Sequence, residues 1–246
     1  MRHVYEGICE TGLRRAENQD AIFMKSDGEI GLFAVADGMG GHSHGEVASA
    51  TIRDCLSMWW DSFSPEAYNM DFSRMIISLN QILEKANIDI IGKTAQGEIC
   101  GSTVVVIFIY RDKYGMLTAG DSRVYKVEHK KLIQISEDET WENRPENSHL
   151  SLKAKMSHPY YGKLVNAIGT SEQFNLTSRT DSLSKDTAFI LCSDGIYKFA
   201  SPKVFSRTLR NVNASKIAET IIKLRDNVYA NGAGDNMSLI IICIVE

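Results

Sequence analysis

Four prolines in 246 residues, at 65, 145, 159 and 202, leave no proline-rich linker along the chain. Five cysteines (Cys9, Cys55, Cys100, Cys192 and Cys243) are odd in number, scattered and never spaced as CxxC, which excludes a zinc ribbon and a disulfide framework. Cysteines used this way suit a reducing compartment, so a cytoplasmic protein is expected. No block of lysine or arginine supplies a nucleic-acid footprint, and no DNA or RNA partner is expected. The longest apolar stretches, Val104–Tyr110 and 239–245, are far too short to span a bilayer, and residues 1–6 have no apolar signal core. No membrane attachment is expected. What is present is apolar bulk: hydrophobic residues make up 43% of the chain, and 31 acids against 27 bases leave a net charge of −4. This length fits one large domain or two small ones.

Periodicity predicts the elements. Residues 4–9, 21–24 and 31–36 read as strands, the last two joined by the turn signal Lys25-Ser26-Asp27-Gly28-Glu29. A helix follows over 45–63, with Val47, Thr51, Cys55, Leu56, Trp59 and Phe63 at helical spacing. A second covers 72–91, capped by Asp71 and striped by Phe72, Met75, Ile76, Leu79, Leu83, Ala86 and Ile90. Strands at 102–110, 114–119, 124–127 and 132–135, with short spacers, predict an antiparallel meander. Residues 136–160 are polar and carry no regular pattern. A strand at 187–192 precedes a short helix opened by Ser201-Pro202, a longer helix capped by Ser215, and a final apolar strand. Strands, two helices, strands, two helices and a strand predict an α+β fold. Its layers form an αββα sandwich of two antiparallel sheets flanked by helix pairs. The motifs described next run from residue 15 to residue 236, so residues 1–246 read as a single domain.

Aspartates recur at the ends of the apolar runs. Asp37 follows Gly31-Leu32-Phe33-Ala34-Val35-Ala36, Asp121 follows Met116-Leu117-Thr118-Ala119-Gly120, and Asp194 follows Phe189-Ile190-Leu191-Cys192-Ser193. Asp235 stands just before the run that begins at Met237. Strand ends that share a sheet edge bring such acids together. Two like charges 4 Å apart cost about 4 kcal/mol at an effective dielectric near 20. Either some acids are protonated or a cation holds them.

Five segments carry the chemistry: Arg15-Ala16-Glu17-Asn18-Gln19-Asp20; Asp37-Gly38-Met39-Gly40-Gly41-His42; Gly101-Ser102-Thr103; Ala119-Gly120-Asp121-Ser122-Arg123; and Ser193-Asp194-Gly195 with Gly234-Asp235-Asn236. In identity and order they closely resemble the metal-dependent protein phosphatases of the type 2C (PPM) family, in its bacterial form. A lone Asp-Gly such as Asp27-Gly28 is an ordinary turn; the ordered set is specific. The resemblance implies a serine/threonine phosphatase that hydrolyses phosphoserine and phosphothreonine by direct attack of a metal-bridging water. It implies two divalent ions, manganese or magnesium, with Asp37 bridging both, the Gly38 carbonyl on one, and Asp194 and Asp235 completing the other. All these donors are oxygens, which suits hard cations. Asp20 is implied as a further ligand, direct or through water. Asp121, with Asp194, is implied to hold a third and weaker ion. Arg15 is implied to bind the substrate phosphate, for which a guanidinium fork is suited. The implied partners are phosphorylated proteins, products of a serine/threonine kinase, and the implied state is a monomer. Residues 136–165 match a flap beside the site.

Three positions depart from the commonest pattern. Gln19 stands where many relatives have a glutamate. Met39 cannot donate the proton that a histidine supplies there in some relatives, and His42 fits a packing role better than that of a substitute acid. Asp138-Glu139 replaces a common Asp-His pair and receives no role. The alternative to an enzyme is a catalytically silent, phosphoprotein-binding relative.

Overall fold

A computed structural model describes residues 1–40, 45–62, 71–94 and 98–245. Among them, His42 and Phe63 are not included.

Two antiparallel sheets pack face to face. One runs β1 (Arg2–Glu10), β11 (Met237–Val245), β10 (Ala188–Cys192), β7 (Arg123–Glu128), β8 (Lys131–Gln134). The other runs β2 (Asp20–Asp27), β3 (Ile30–Gly40), β5 (Val104–Tyr110), β6 (Lys113–Ala119), β9 (Thr177–Ser182), with the short β4 (Cys100–Ser102) paired to β3. The strands read as continuous apolar runs because both faces are buried. Phe33, Val35, Val105, Ile107, Ile109, Phe189, Leu191, Ile240 and Ile242 fill the space between the sheets. Their sequence neighbours Leu32, Ala34, Val104, Val106 and Phe108 face α1 (Gly45–Asp61) and α2 (Phe72–Lys93). Ile190, Cys192, Leu239 and Ile241 face α4 (Asp194–Tyr197), α5 (Pro202–Leu209) and α6 (Ile217–Ala230). The four predicted layers are therefore present.

Four local expectations are corrected. The meander does not hold: β5 pairs with β6 and β7 with β8, but β6 and β7 lie in different sheets. The chain crosses between sheets at Gly120-Asp121-Ser122, where Gly120 takes φ +100° and its N–H donates to the Glu139 carboxylate at 2.8 Å. β9 was not predicted, because Thr-Ser-Arg-Thr-Asp-Ser has no apolar alternation and is exposed; pairing with β6 creates it. Asp71 and Ser201 occupy cap positions but make no side-chain cap bond. Ser215 bonds Asn213 instead, within a 3-10 turn at Ala214–Lys216, so α6 starts at Ile217 with Lys216 in the cap position. The patternless stretch holds 3-10 turns at Trp141–Asn143 and Pro145–Asn147 and a short helix, α3 (Leu152–Met156). Trp141 and His158 stack across it, their rings 3.8 Å apart.

Candidate active site

The strand ends determine the site. In the β2–β3 ladder Asp20 pairs directly with Asp37, so the start of one strand and the end of the other set two carboxylates side by side. β10 ends and β11 begins at the same edge, where Ser193 and Ser238 exchange hydrogen bonds. This sets Asp194, the first residue of α4, beside Asp235. The β6–β7 crossing supplies Asp121. Asp37, Asp121, Asp194, Asp235 and Arg15 all line one open cleft of about 700 Å³. Lys163 and Val165, from the segment expected to form a flap, line its rim.

Close backbone packing fixes the two Asp-Gly pairs. A Cβ on Gly38 would collide with the Gly45 carbonyl oxygen at the start of α1, and one on Gly195 with the Asn236 carbonyl oxygen. Only glycine fits at either place. Asp37 is held by Thr103, whose N–H donates to the Asp37 carbonyl at 2.9 Å and whose hydroxyl accepts from the Asp37 N–H at 3.3 Å.

Charge in the cleft is unevenly compensated. Asp20 is 8% exposed. One of its carboxylate oxygens accepts from the Ser193 hydroxyl at 2.8 Å, while the other is buried without a partner. Burial, aided by Asp194 and Asp235 and opposed by Ser193 and Ser238, pushes Asp20 up to about 6. Burial and the surrounding aspartates, Asp20 first, push Asp37 well above the carboxylate range. Asp121 is also raised by burial, with the nearby Lys198 pulling the other way. Two cations answer these acids. The Arg15 guanidinium grips Asp235 with two prongs, Nε to Oδ1 at 2.7 Å and Nη2 to Oδ2 at 2.8 Å. The Lys198 ammonium lies 2.6 Å from Asp194 Oδ2 and 3.5 Å from Asp121 Oδ2. Among the described residues no three His, Cys, Asp or Glu side chains close into a cage that could hold an ion unaided. Three of the acids, Asp235, Asp194 and Asp121, are paired with these cations.

The donor set nonetheless fits hard divalent ions. It offers only oxygens, includes a buried carboxylate oxygen with no partner, and opens on a wet cleft; magnesium in particular keeps several waters and needs few carboxylates.

Several contributors were not singled out from the sequence. Asn236 ties the loop bearing Arg15 to β11: its Nδ2 donates to the carbonyls of Thr11 (3.0 Å) and Glu17 (2.9 Å), and its Oδ1 accepts from the Gln19 N–H (2.9 Å). Glu139 accepts from Asn166 as well as Gly120 and so braces the crossing. Asp138 takes the Arg123 guanidinium in a two-pronged pair, Nη2 to Oδ2 at 2.7 Å, so Arg123 is not the partner of Asp121. That guanidinium lies 3.5 Å above the Tyr197 ring, and the Tyr197 hydroxyl donates to the Asp121 carbonyl at 3.1 Å. Lys198 was legible as an i,i+4 partner of Asp194.

Comparison with known proteins agrees with this geometry. A family model described as protein phosphatase 2C matches residues 14–226. The serine/threonine protein phosphatase PstP of Mycobacterium tuberculosis is 25% identical over 246 residues, covering 98% of this chain but only 45% of that protein. The chain thus spans less than half the length of PstP. The serine/threonine phosphatase stp of Listeria monocytogenes is 23% identical over 240 residues, covering 95% of this chain and 92% of that protein. The crystal structure of PstP superposes with a TM-score of 0.83 at 25% identity, covering 99% of both chains. A further structure of the PstP catalytic domain, 24% identical with a TM-score of 0.80, is in complex with 2 manganese ions.

Proposed function

The chain belongs to the protein phosphatase 2C family, and from that premise we propose that it is a metal-dependent serine/threonine phosphatase acting on phosphorylated proteins. The observation that carries this reading is the gathering of four aspartates, from four separate stretches of chain, along one cleft that Arg15 also lines, with Asp20 paired to Asp37 behind it. We read 1–246 as one phosphatase domain, monomeric and cytoplasmic, with 136–165 as a flap and its substrates supplied by a serine/threonine kinase. Among the described residues no helix is long and apolar enough to cross a membrane.

Asp37, the Gly38 carbonyl, Asp194 and Asp235, with Asp20 beside them, would hold two divalent ions. When bound, such ions acidify a water and neutralise phosphoryl oxygens. The remaining work belongs to the chain. Arg15, 54% exposed and on a loop, must release Asp235 before its fork can take phosphoryl oxygens. Asn236 keeps that loop in reach. Asp20 and Asp37, both raised, must lose their protons for the cleft to load, so loading weakens as pH falls. Met39 lines the cleft and has no proton to give a leaving group.

The test is dephosphorylation of phosphoserine, phosphothreonine and phosphotyrosine peptides with manganese, magnesium and chelator in turn. Turnover of the first two, dependent on metal and reduced to background by Asp37→Ala, is expected. Near-normal turnover by Asp37→Ala would overturn the assignment. In chelator, Asp37→Asn should melt no lower than the parent, because a neutral amide of the same shape replaces a carboxyl group that burial and neighbouring acids disfavour; this separates lost chemistry from lost fold. The silent, phosphoprotein-binding alternative fits less well, since a scaffold has no use for acids gathered at an energetic cost.

A further inference from the structure

Lys198 stands where two acids need one cation. Its ammonium reaches Asp194 Oδ2 at 2.6 Å and Asp121 Oδ2 at 3.5 Å. The side chains of these acids are 20% and 7% exposed, so water shields them little. The placement is built in, not incidental. Lys198 closes the single turn of α4, its N–H donating to the Asp194 carbonyl at 2.9 Å, and the turn sets the two side chains on one face. Asp121 is fixed from its other side. The Tyr197 hydroxyl donates to its carbonyl at 3.1 Å and to its Oδ2 at 3.3 Å, and the Tyr197 ring lies under the guanidinium that Asp138 anchors. The five acids of the cleft have two cationic side chains in direct pairs: Arg15 on Asp235, and Lys198 on Asp194 and Asp121. Both side chains are about half exposed, Arg15 at 54% and Lys198 at 47%, but Arg15 holds only one acid. Lys198 bridges two, and one of them, Asp121, has no other cation within salt-bridge distance among the described residues.

We propose that Lys198 is a tethered cation occupying the Asp121 end of the cleft, so that no divalent ion is held there and the chain's capacity is two ions. The third, weaker ion expected between Asp121 and Asp194 is replaced by an ammonium of the chain itself. An ammonium that is always present needs no free metal and costs no binding entropy, whereas an ion at the same place would have to displace it. The inference rests on the metal-dependent reading given above.

Uptake of manganese(II) by the intact chain, followed through the EPR signal of the free ion, counts bound ions without reference to turnover. Two ions per chain are expected for the parent and for Lys198→Arg, and one more for Lys198→Met. Asp121→Asn in the parent background should leave the count unchanged, which keeps the test open if Lys198→Met fails to fold. The same count and affinity in folded Lys198→Met as in the parent would overturn the inference while leaving the phosphatase reading intact. So would a parent that takes three ions and loses one on Asp121→Asn. No uptake by any of these chains would overturn both.

Discussion

At one end of the sandwich β2 and β3 are joined by the tight turn Gly28-Glu29; at the other the same two strands end with Asp20 opposite Asp37. The turn end buries no carboxylate: Asp27 and Glu29 are exposed, and the buried atom left without a partner there is a ring nitrogen, His3 Nε2. The His3 ring nitrogen Nδ1 meets the Ser26 hydroxyl at 2.7 Å, and that hydroxyl donates to the Ile30 carbonyl at 3.1 Å. The open end leaves a buried oxygen of Asp20 without a partner and raises two carboxyl groups. The strands are the same and their apolar alternation is continuous, so hydrophobicity does not separate the ends. What separates them is connection length. The short turn leaves its acids, Asp27 and Glu29, in water, while widely separated chain segments converge at the open end and bury theirs, Asp20 and Asp121 among them. The contrast recurs within the open end. Arg15 and Arg123 each grip an aspartate with two prongs, but Arg15 is on a loop and 54% exposed, while Arg123 is 25% exposed and stacked on Tyr197. The first pair can open; the second is part of the frame.

Substitutions that act on one end and spare the other sharpen this contrast. The largest effect is expected at Arg15. Arg15→Ala should cut kcat/KM for a phosphopeptide by about 10³-fold or more, as loss of an arginine does in comparable phosphoryl transfers. Its chelated melting temperature should hardly move, because an exposed ion pair contributes about 0–1 kcal/mol. A normal rate with a collapsed Tm would reverse the roles of the two arginines. Arg123→Ala should instead cost about 3 kcal/mol of stability, read by urea unfolding, because Asp138 would be left half-buried and unpaired. Asp138→Asn in the same chain should recover part of it.

At the turn end, burial pushes His3 down to about 4. A histidine whose folded value lies below its unfolded one contributes full stability above about 6.5, and that contribution is lost as pH falls from there towards 4. The loss is about 3 kcal/mol, at 1.36 kcal/mol per pH unit. Substituting His3 with Gln should flatten this part of the stability–pH curve, and an unchanged curve would place the acid sensitivity elsewhere. The smallest effect is expected at Gly28, which has φ +56° and open space around it. Gly28→Ala should cost about 1 kcal/mol from backbone strain alone, with kcat/KM unchanged.

The layers, the strand alternation and four of the aspartates were legible because each rests on a local pattern, an apolar run with an acid at its end; Asp20 was legible only through the resemblance. β9 was not, since Thr177–Ser182 carries no such pattern and owes its conformation to β6. The β6–β7 crossing was missed because Gly120-Asp121-Ser122 looks like a hairpin turn; only the pairing of β7 with β10 sends the chain to the other sheet. The Ser215 cap failed because Asn213 offers its hydroxyl a nearer partner. Asn236 was legible as part of a motif, but not as a clamp, since its three partners lie more than 200 residues away. Charge pairing was the least legible layer. Sequence spacing names Arg15 and Asp235 without saying that, in this structure, they hold each other.

β11 lies between β1 and β10, in the interior of its sheet, although it is formed by residues 237–245. Asp235 and Asn236 arrive with it. A nascent polypeptide therefore cannot complete the cleft until that strand has left the ribosome and slotted between two strands made much earlier. Translation products cut short before Asp235 would carry four of the five acids and lack the Asn236 clamp on the arginine loop.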